Sequence, residues 1–182
     1  MSAFGSAGTR TRDQAAAAAA DARRRIGSLP PGTVVAYTDG ACQGNPGPAG
    51  SGAVIELPSG ARIEASRALG DATNNIAELT AIALAIELLD QAGVPAVAPV
   101  VVFTDSKYAD GVLCRGWKAK ANTALVTDTK SALARRPGTE LHWLAGHVGI
   151  EGNERADELA NRGVAGITAT ESLPPAGRPP AP

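Results

Sequence analysis

Two segments of the chain end alike, Tyr37-Thr38-Asp39-Gly40 and Phe103-Thr104-Asp105-Ser106, each setting an aspartate one step beyond a β-branched run. On parallel neighbouring strands the two carboxylates meet at one edge of a sheet. Either one alone also serves as a turn former or a helix cap. Glu78 is a third acid. At the helical spacing it lies beside Leu89, at the border of an apolar stripe made by Ile76, Leu79, Ala83 and Ile86. A carboxylate so near a buried face needs a partner, either a salt-bridging cation or a bound metal, because burying it unpaired is costly. Asp157, in Gly152-Asn153-Glu154-Arg155-Ala156-Asp157, is a fourth acid and by itself reads equally as part of a solvated helix face. Four oxygen donors without a Cys/His cluster suit a hard ion such as magnesium or manganese, not zinc. Two such ions about 4 Å apart can activate a water and stabilise the leaving oxygen of an in-line phosphoryl displacement. If the four acids converge, they therefore argue for a phosphodiester substrate. His147 stands in Ala145-Gly146-His147-Val148-Gly149, where the glycines place it on a loop and not in a core. An imidazole there can carry a proton to or from a leaving group.

These side chains need elements to hold them. Short β-branched or apolar runs at 33–38 and 99–104 read as buried strands, and 52–57 and 61–68, separated by Pro58-Ser59-Gly60, read as a hairpin. The clearest helix covers 75–91, with Gly93 where it stops. Weaker helices cover 106–113 and 125–135, a fifth strand covers 139–144, and a last helix covers 153–163. The order β-β-β-α-β-α-α-β-α describes an α/β fold with a five-stranded mixed sheet flanked by helices. Its ligand crevice lies outside the carboxyl ends of the parallel strands, where Asp39 and Asp105 fall.

Four blocks in this order resemble the type 1 ribonuclease H family. They are Tyr37-Thr38-Asp39-Gly40-Ala41-Cys42-Gln43-Gly44-Asn45-Pro46-Gly47-Pro48, Thr73-Asn74-Asn75-Ile76-Ala77-Glu78, Phe103-Thr104-Asp105-Ser106-Lys107-Tyr108, and the segment from Gly146 through His147 to Asp157. The likeness spans about residues 33–165 and implies a ribonuclease H-like fold. It also implies hydrolysis of the RNA strand of an RNA–DNA hybrid, leaving a 5′-phosphate and a 3′-hydroxyl. By the same resemblance Asp39, Glu78, Asp105 and Asp157 carry two magnesium ions, for which manganese can substitute, and His147 assists proton transfer or product release. Glu154 becomes a partner behind the metal ligands. Cys42, Asn45, Asn74 and Asn75 map to positions touching the sugar edges of the hybrid, where a 2′-hydroxyl distinguishes RNA from DNA. Thr73 maps to part of a pocket for a DNA phosphate. Departures from the family pattern are Asp71, where some members have arginine, which leaves Arg67 as a substitute for the phosphate pocket, and Lys107 in place of glutamine. The segment between Asp105 and Trp117 is too short for the extra basic helix some members carry.

Composition sets the remaining limits. Apolar residues are 44% of the 182, but 37 of them are alanine, so the larger side chains fill one core and not two. The net charge of −1 provides no global attraction to nucleic acid or anionic lipid, so phosphate binding must be local. Residues 107–136 hold seven basic side chains against Asp110 and Asp128, a local excess of +5. Residues 1–32, with a net charge of +3 and six consecutive alanines, read as a disordered tail whose transient helix has no apolar stripe to bury. Residues 166–182, rich in proline, read as a second disordered tail. The catalytic domain is thus expected at 33–165. Cys42 and Cys114 cannot build a disulfide framework, and no run of apolar residues is long enough for a membrane span, so a monomer in the reducing cytoplasm is expected. A hybrid-binding module without catalysis and a nuclease for another duplex are the competing readings. The complete set of acids with His147 argues against the former.

Overall fold

The computed structural model describes residues 11–175. Its elements are α1 (Arg12–Gly27), β1 (Val34–Cys42), β2 (Gly47–Glu56), β3 (Arg62–Ala72), α2 (Asn74–Gln91), β4 (Val100–Thr104), α3 (Lys107–Cys114), α4 (Thr123–Ala134), β5 (Thr139–Trp143), α5 (Glu151–Val164) and β6 (Ala169–Leu173). The mixed sheet expected from the sequence is present with a sixth strand, in the order β5-β4-β1-β2-β3-β6. β4 runs parallel to both β1 and β5, and the other pairings are antiparallel.

The two-residue alternation of a strand explains how one sheet carries two cores. Val34 and Ala36 of β1, with Val100 and Val102 of β4, pack against Leu84, Ala85, Leu88 and Leu89 of α2. Their neighbours Val35, Tyr37, Val101 and Phe103 face the other side, where Ala156 and Leu159 of α5 cover them. α3 and α4 extend the α2 side through Ala109, Val112 and Val126. α2 is apolar around most of its circumference because it is sandwiched between the sheet and α4.

Two expectations of disorder are corrected. α1 is a helix with a capping box, in which Thr11 and Gln14 exchange hydrogen bonds. Its Ala18, Ala19, Ala22 and Ile26 pack against the α5 face of the sheet. The stripe that buries them is built from alanines, which present little apolar area but let a helix lie close. At the other end β6 pairs with the free edge of β3, from Arg62↔Leu173 to Ser66↔Ala169. The Ala68 amide donates to Thr168 and the Ser66 hydroxyl donates to the Ile167 carbonyl. Pairing is driven by the unsatisfied backbone of that edge, since β6 itself is mostly exposed. The remainder of both expected tails, residues 1–10 and 176–182, lies outside the described residues.

Candidate active site

The parallel register of β1 and β4 ends at Thr38↔Thr104, so Asp39 and Asp105 each stand one residue past the last matched pair and come side by side. Glu78 reaches them from the second turn of α2. That helix lies so close to β1 that a Cβ on Gly40 would fall 2.3 Å from the Glu78 backbone nitrogen. One carboxylate oxygen from each of Asp39, Glu78 and Asp105 then lies within 4.8 Å of the other two. Asp157 comes from α5, which is fastened to β3 by a part-buried ion pair in which Arg155 donates to the buried Glu64 at 2.7 and 2.9 Å. Asp157 stands at the rim of the trio, its carboxyl hydrogen-bonded with Asp39 and its Oδ1 accepting from Asn161 at 3.1 Å.

Packing like charges in a buried corner has a clear electrostatic consequence. Burial, then the charges of Asp105 and Asp157, push Asp39 up to about 8, against which the Gly40 amide donates to its Oδ1 at 2.8 Å. Burial, then Asp39 and Asp105, raise Glu78 well above the ordinary range. Burial also raises Asp105, opposed by His147 and by a hydrogen bond from Asn153. Among the described residues Glu78 Oε2 is buried without a hydrogen-bond partner. An orphaned oxygen on a carboxylate that neighbours two others is what a hard divalent cation would satisfy, and the all-oxygen donor set fits magnesium or manganese.

The other expected residues gather around this corner to different degrees. His147 is exposed on the loop between β5 and α5, close enough to Asp105 to favour its charged form. Asn45 Oδ1 accepts from the Asn74 amide at 3.0 Å, and the Asn74 side chain donates to Glu78 at 3.4 Å, linking the β1–β2 turn to the acids. The Cys42 thiol donates to the Ala72 carbonyl at 3.2 Å, beside Thr73, whose hydroxyl caps α2. Asn75 is exposed on the first turn of α2, and Glu154 is exposed on α5. Arg67, the substitute considered for the phosphate pocket, is held by Glu87 at 2.7 Å.

The RNase H family model matches residues 31–165, about three quarters of the chain. This chain belongs to the RNase H family. It is 40% identical over 145 residues to the ribonuclease H of Maricaulis maris, covering 73% of this chain and 94% of that one. It is 42% identical over 146 residues to the enzyme of Cupriavidus metallidurans, covering 74% and 97%. Among solved structures it is similar to LC11-RNase H1, of compost origin, in a crystal with an RNA/DNA hybrid; the TM-score is 0.63 at 32% identity, covering 73% and 97%. Like these relatives, the RNase H chain described here is a hydrolase of the endonuclease class. α1 and β6 fall outside the matched segment.

Two supports of the RNase H corner escape a reading of the sequence. Asn153 is 2% exposed and hydrogen-bonds Asp105 from the first turn of α5, yet it sits in the string Gly152-Asn153-Glu154 with nothing to mark it. Gly146 fits closely against Asp105: a Cβ there would lie 2.0 Å from Oδ2. Only the small size of that residue, preceding a histidine, signals it. Asn153→Ala is expected to weaken magnesium activation about tenfold or more with little change in hybrid affinity, because residues that orient a metal ligand typically carry that much. A magnesium titration of cleavage beside a hybrid-binding isotherm in chelator checks it; an unchanged magnesium midpoint would count against the assignment.

Proposed function

We propose that this chain is an endonuclease that hydrolyses the RNA strand of RNA–DNA hybrids, leaving 5′-phosphate and 3′-hydroxyl ends. The observation that carries the reading is the meeting of Asp39, Glu78 and Asp105 where the parallel pairing of β1 and β4 stops, in a chain of this family. When bound, magnesium as two ions, or manganese in its place, supplies the Lewis acidity for water activation and leaving-oxygen stabilisation. Asp39, Glu78, Asp105 and Asp157 would hold it, with Asp39, Glu78 and Asp105 giving up the protons that burial and crowding otherwise favour. His147, exposed on the loop between β5 and α5, holds or passes a proton at the leaving 3′-oxygen. Cys42, Asn45, Asn74 and Asn75 bind along the sugar edge of the RNA strand, and Thr73 takes a phosphate of the DNA strand. Glu154, exposed a turn before Asp157, acts behind the ligands. The chain acts as a monomer in the cytoplasm. Among the described residues no helix is long and apolar enough to cross a membrane.

The deciding experiment offers a labelled hybrid, single-stranded RNA and duplex RNA with magnesium, manganese or chelator. Metal-dependent cleavage confined to the hybrid is expected. Binding without cleavage would point to a non-catalytic module, and preference for duplex RNA to another nuclease on the same scaffold.

The basic surface is thinner than its sequence count. Arg136 is 3% exposed and bound to Asp90 and the carbonyls of Val94 and Pro95, and Arg115 is paired with Asp110. Lys107, Lys118, Lys120, Lys130 and Arg135 remain exposed, and residues 115–122 between α3 and α4 contain no helix. Hybrid affinity should therefore fall with salt less steeply than for relatives with a basic helix there, since each neutralised phosphate adds about 0.7–0.9 to the log–log slope. Parallel titrations with such a relative giving equal slopes would refute this.

A further inference from the structure

We infer that α1 is a brace for the loop that carries His147, adding a positioning element that the family-matched segment does not contain. This rests on the proton-handling role proposed for His147. Residues 144–150 connect β5 to α5 without regular structure, and two of them adopt left-handed backbone, His147 with φ 53° and Gly149 with φ 74°. A non-glycine residue in that region is held there by its surroundings. Below the loop, Val148 and Ile150 are buried in the same apolar cluster as Ala19 and Ala22 of α1, with Ala18 and Ile26 packed against it. Above it, Arg23 of α1 donates to the Gly149 carbonyl at 3.3 Å, across 126 residues of sequence. Ala18 and Ala22 also line a small cavity with Trp143, Leu144 and Ala145. Trp143 donates from its indole to the Asp105 carbonyl at 2.9 Å.

α1 therefore backs both residues that the reaction brings together, the Asp105 strand end through Trp143 and the His147 loop through Val148, Ile150 and Arg23. Arg23 is a positioning residue. Its neighbours Arg24 and Arg25 are paired with Asp21, at 2.6 and 2.8 Å, which leaves Arg23 as the cation of that turn directed at the loop. Alanine at positions 18, 19 and 22 lets the helix axis approach closely, and a long side chain at Ala22 would lift it.

The test uses the full chain with Arg23→Ala, Arg23→Lys and Ala22→Glu, each alone and Arg23→Ala also in His147→Ala. Amide exchange of segment 144–150 should accelerate several-fold in Arg23→Ala and more in Ala22→Glu, with the exchange of α2 unchanged. The kcat on hybrid should fall about three- to tenfold with KM unchanged, since small misplacement of a reacting group already costs rate. Arg23→Lys should recover part of it, and Arg23→Ala should add no further loss in His147→Ala. Unchanged exchange in the loop would overturn the brace. A loss carried in KM would make α1 a nucleic-acid contact instead, and an equal loss in the His147→Ala background would show that it does not act through that residue. If His147→Ala itself cleaves normally while loop exchange still responds to Arg23→Ala, the role given to His147 fails and the anchoring of the loop by α1 stands.

Discussion

Asp105→Asn is expected to lower cleavage of an RNA–DNA hybrid by about a thousandfold while leaving hybrid binding within a few-fold and the fold intact, a loss on the order of 4 kcal/mol of transition-state stabilisation. The substitution keeps the shape of the side chain and removes one charge. Its cost to the structure is small because Asp105 stands past the end of β4, and its surroundings disfavour its charge: burial raises its pKa despite His147 and Asn153. Its cost to catalysis is large because Asp105 is one of three carboxylates whose oxygens share a 4.8 Å neighbourhood, and a divalent site there depends on their summed charge. Binding should survive, since removing a negative charge beside a phosphodiester does not repel it. Three measurements on one preparation decide: single-turnover cleavage, a hybrid-binding isotherm in chelator and a thermal melt. Cleavage surviving within about tenfold of the parent would remove the cluster from the mechanism. A parallel loss of binding and melting temperature would assign Asp105 a structural role instead.

What the sequence made legible follows the same physics. Asp105 was readable because a β-branched run followed by an acid marks a strand end; β1 instead continues past Asp39 to Cys42, and Asp39 still meets Asp105 because the parallel pairing of β1 with β4 stops one residue before both. Glu78 was readable because a charged residue at the border of an apolar stripe has to be reconciled with burial, and the structure leaves it 7% exposed. α1 was not readable as a docked element. Its stripe of Ala15, Ala18, Ala19, Ala22 and Ile26 has helical spacing, but mostly alanine gives it little hydrophobic contrast against the neighbouring Ala16, Ala17 and Ala20. β6 was hidden because its pairing comes from backbone groups at the β3 edge, which no side-chain pattern announces. Arg136 was misread as surface charge because its partners, Asp90 and the Val94 and Pro95 carbonyls, lie more than forty residues away. Asn153 belongs with it: its role exists only once α5 has been laid against the strand ends.

The same crowding of carboxylates that suits the site to a cation should make the metal-free protein lose stability as pH rises. Asp39 is pushed up to about 8, with Glu78 and Asp105 also raised, whereas an unfolded aspartate titrates near about 4. Between those limits the native state binds more protons than the unfolded chain, so the slope of unfolding free energy against pH is negative. The contribution is fully present below about pH 4 and is lost as pH rises through the raised native values, that of Asp39 being about 8. In chelator, the melting temperature should therefore carry a downward component from pH 5 to 9, and Asp39→Asn should flatten it. The variant should melt higher than the parent at pH 9, by roughly 2–4 °C for each kcal/mol of relieved repulsion, with the difference closing toward pH 5. Magnesium should act in the opposite sense, raising the parent's melting temperature more at pH 9 than at pH 6 because it binds the deprotonated carboxylates, and doing much less for Asp39→Asn. Calorimetric scans of both proteins across that range, with and without the ion, read all four slopes. Parallel curves for parent and variant in chelator would mean that the acids do not hold extra protons together. The electrostatic case for a buried cation pair would then fall even if the three carboxylates sit where the fold puts them.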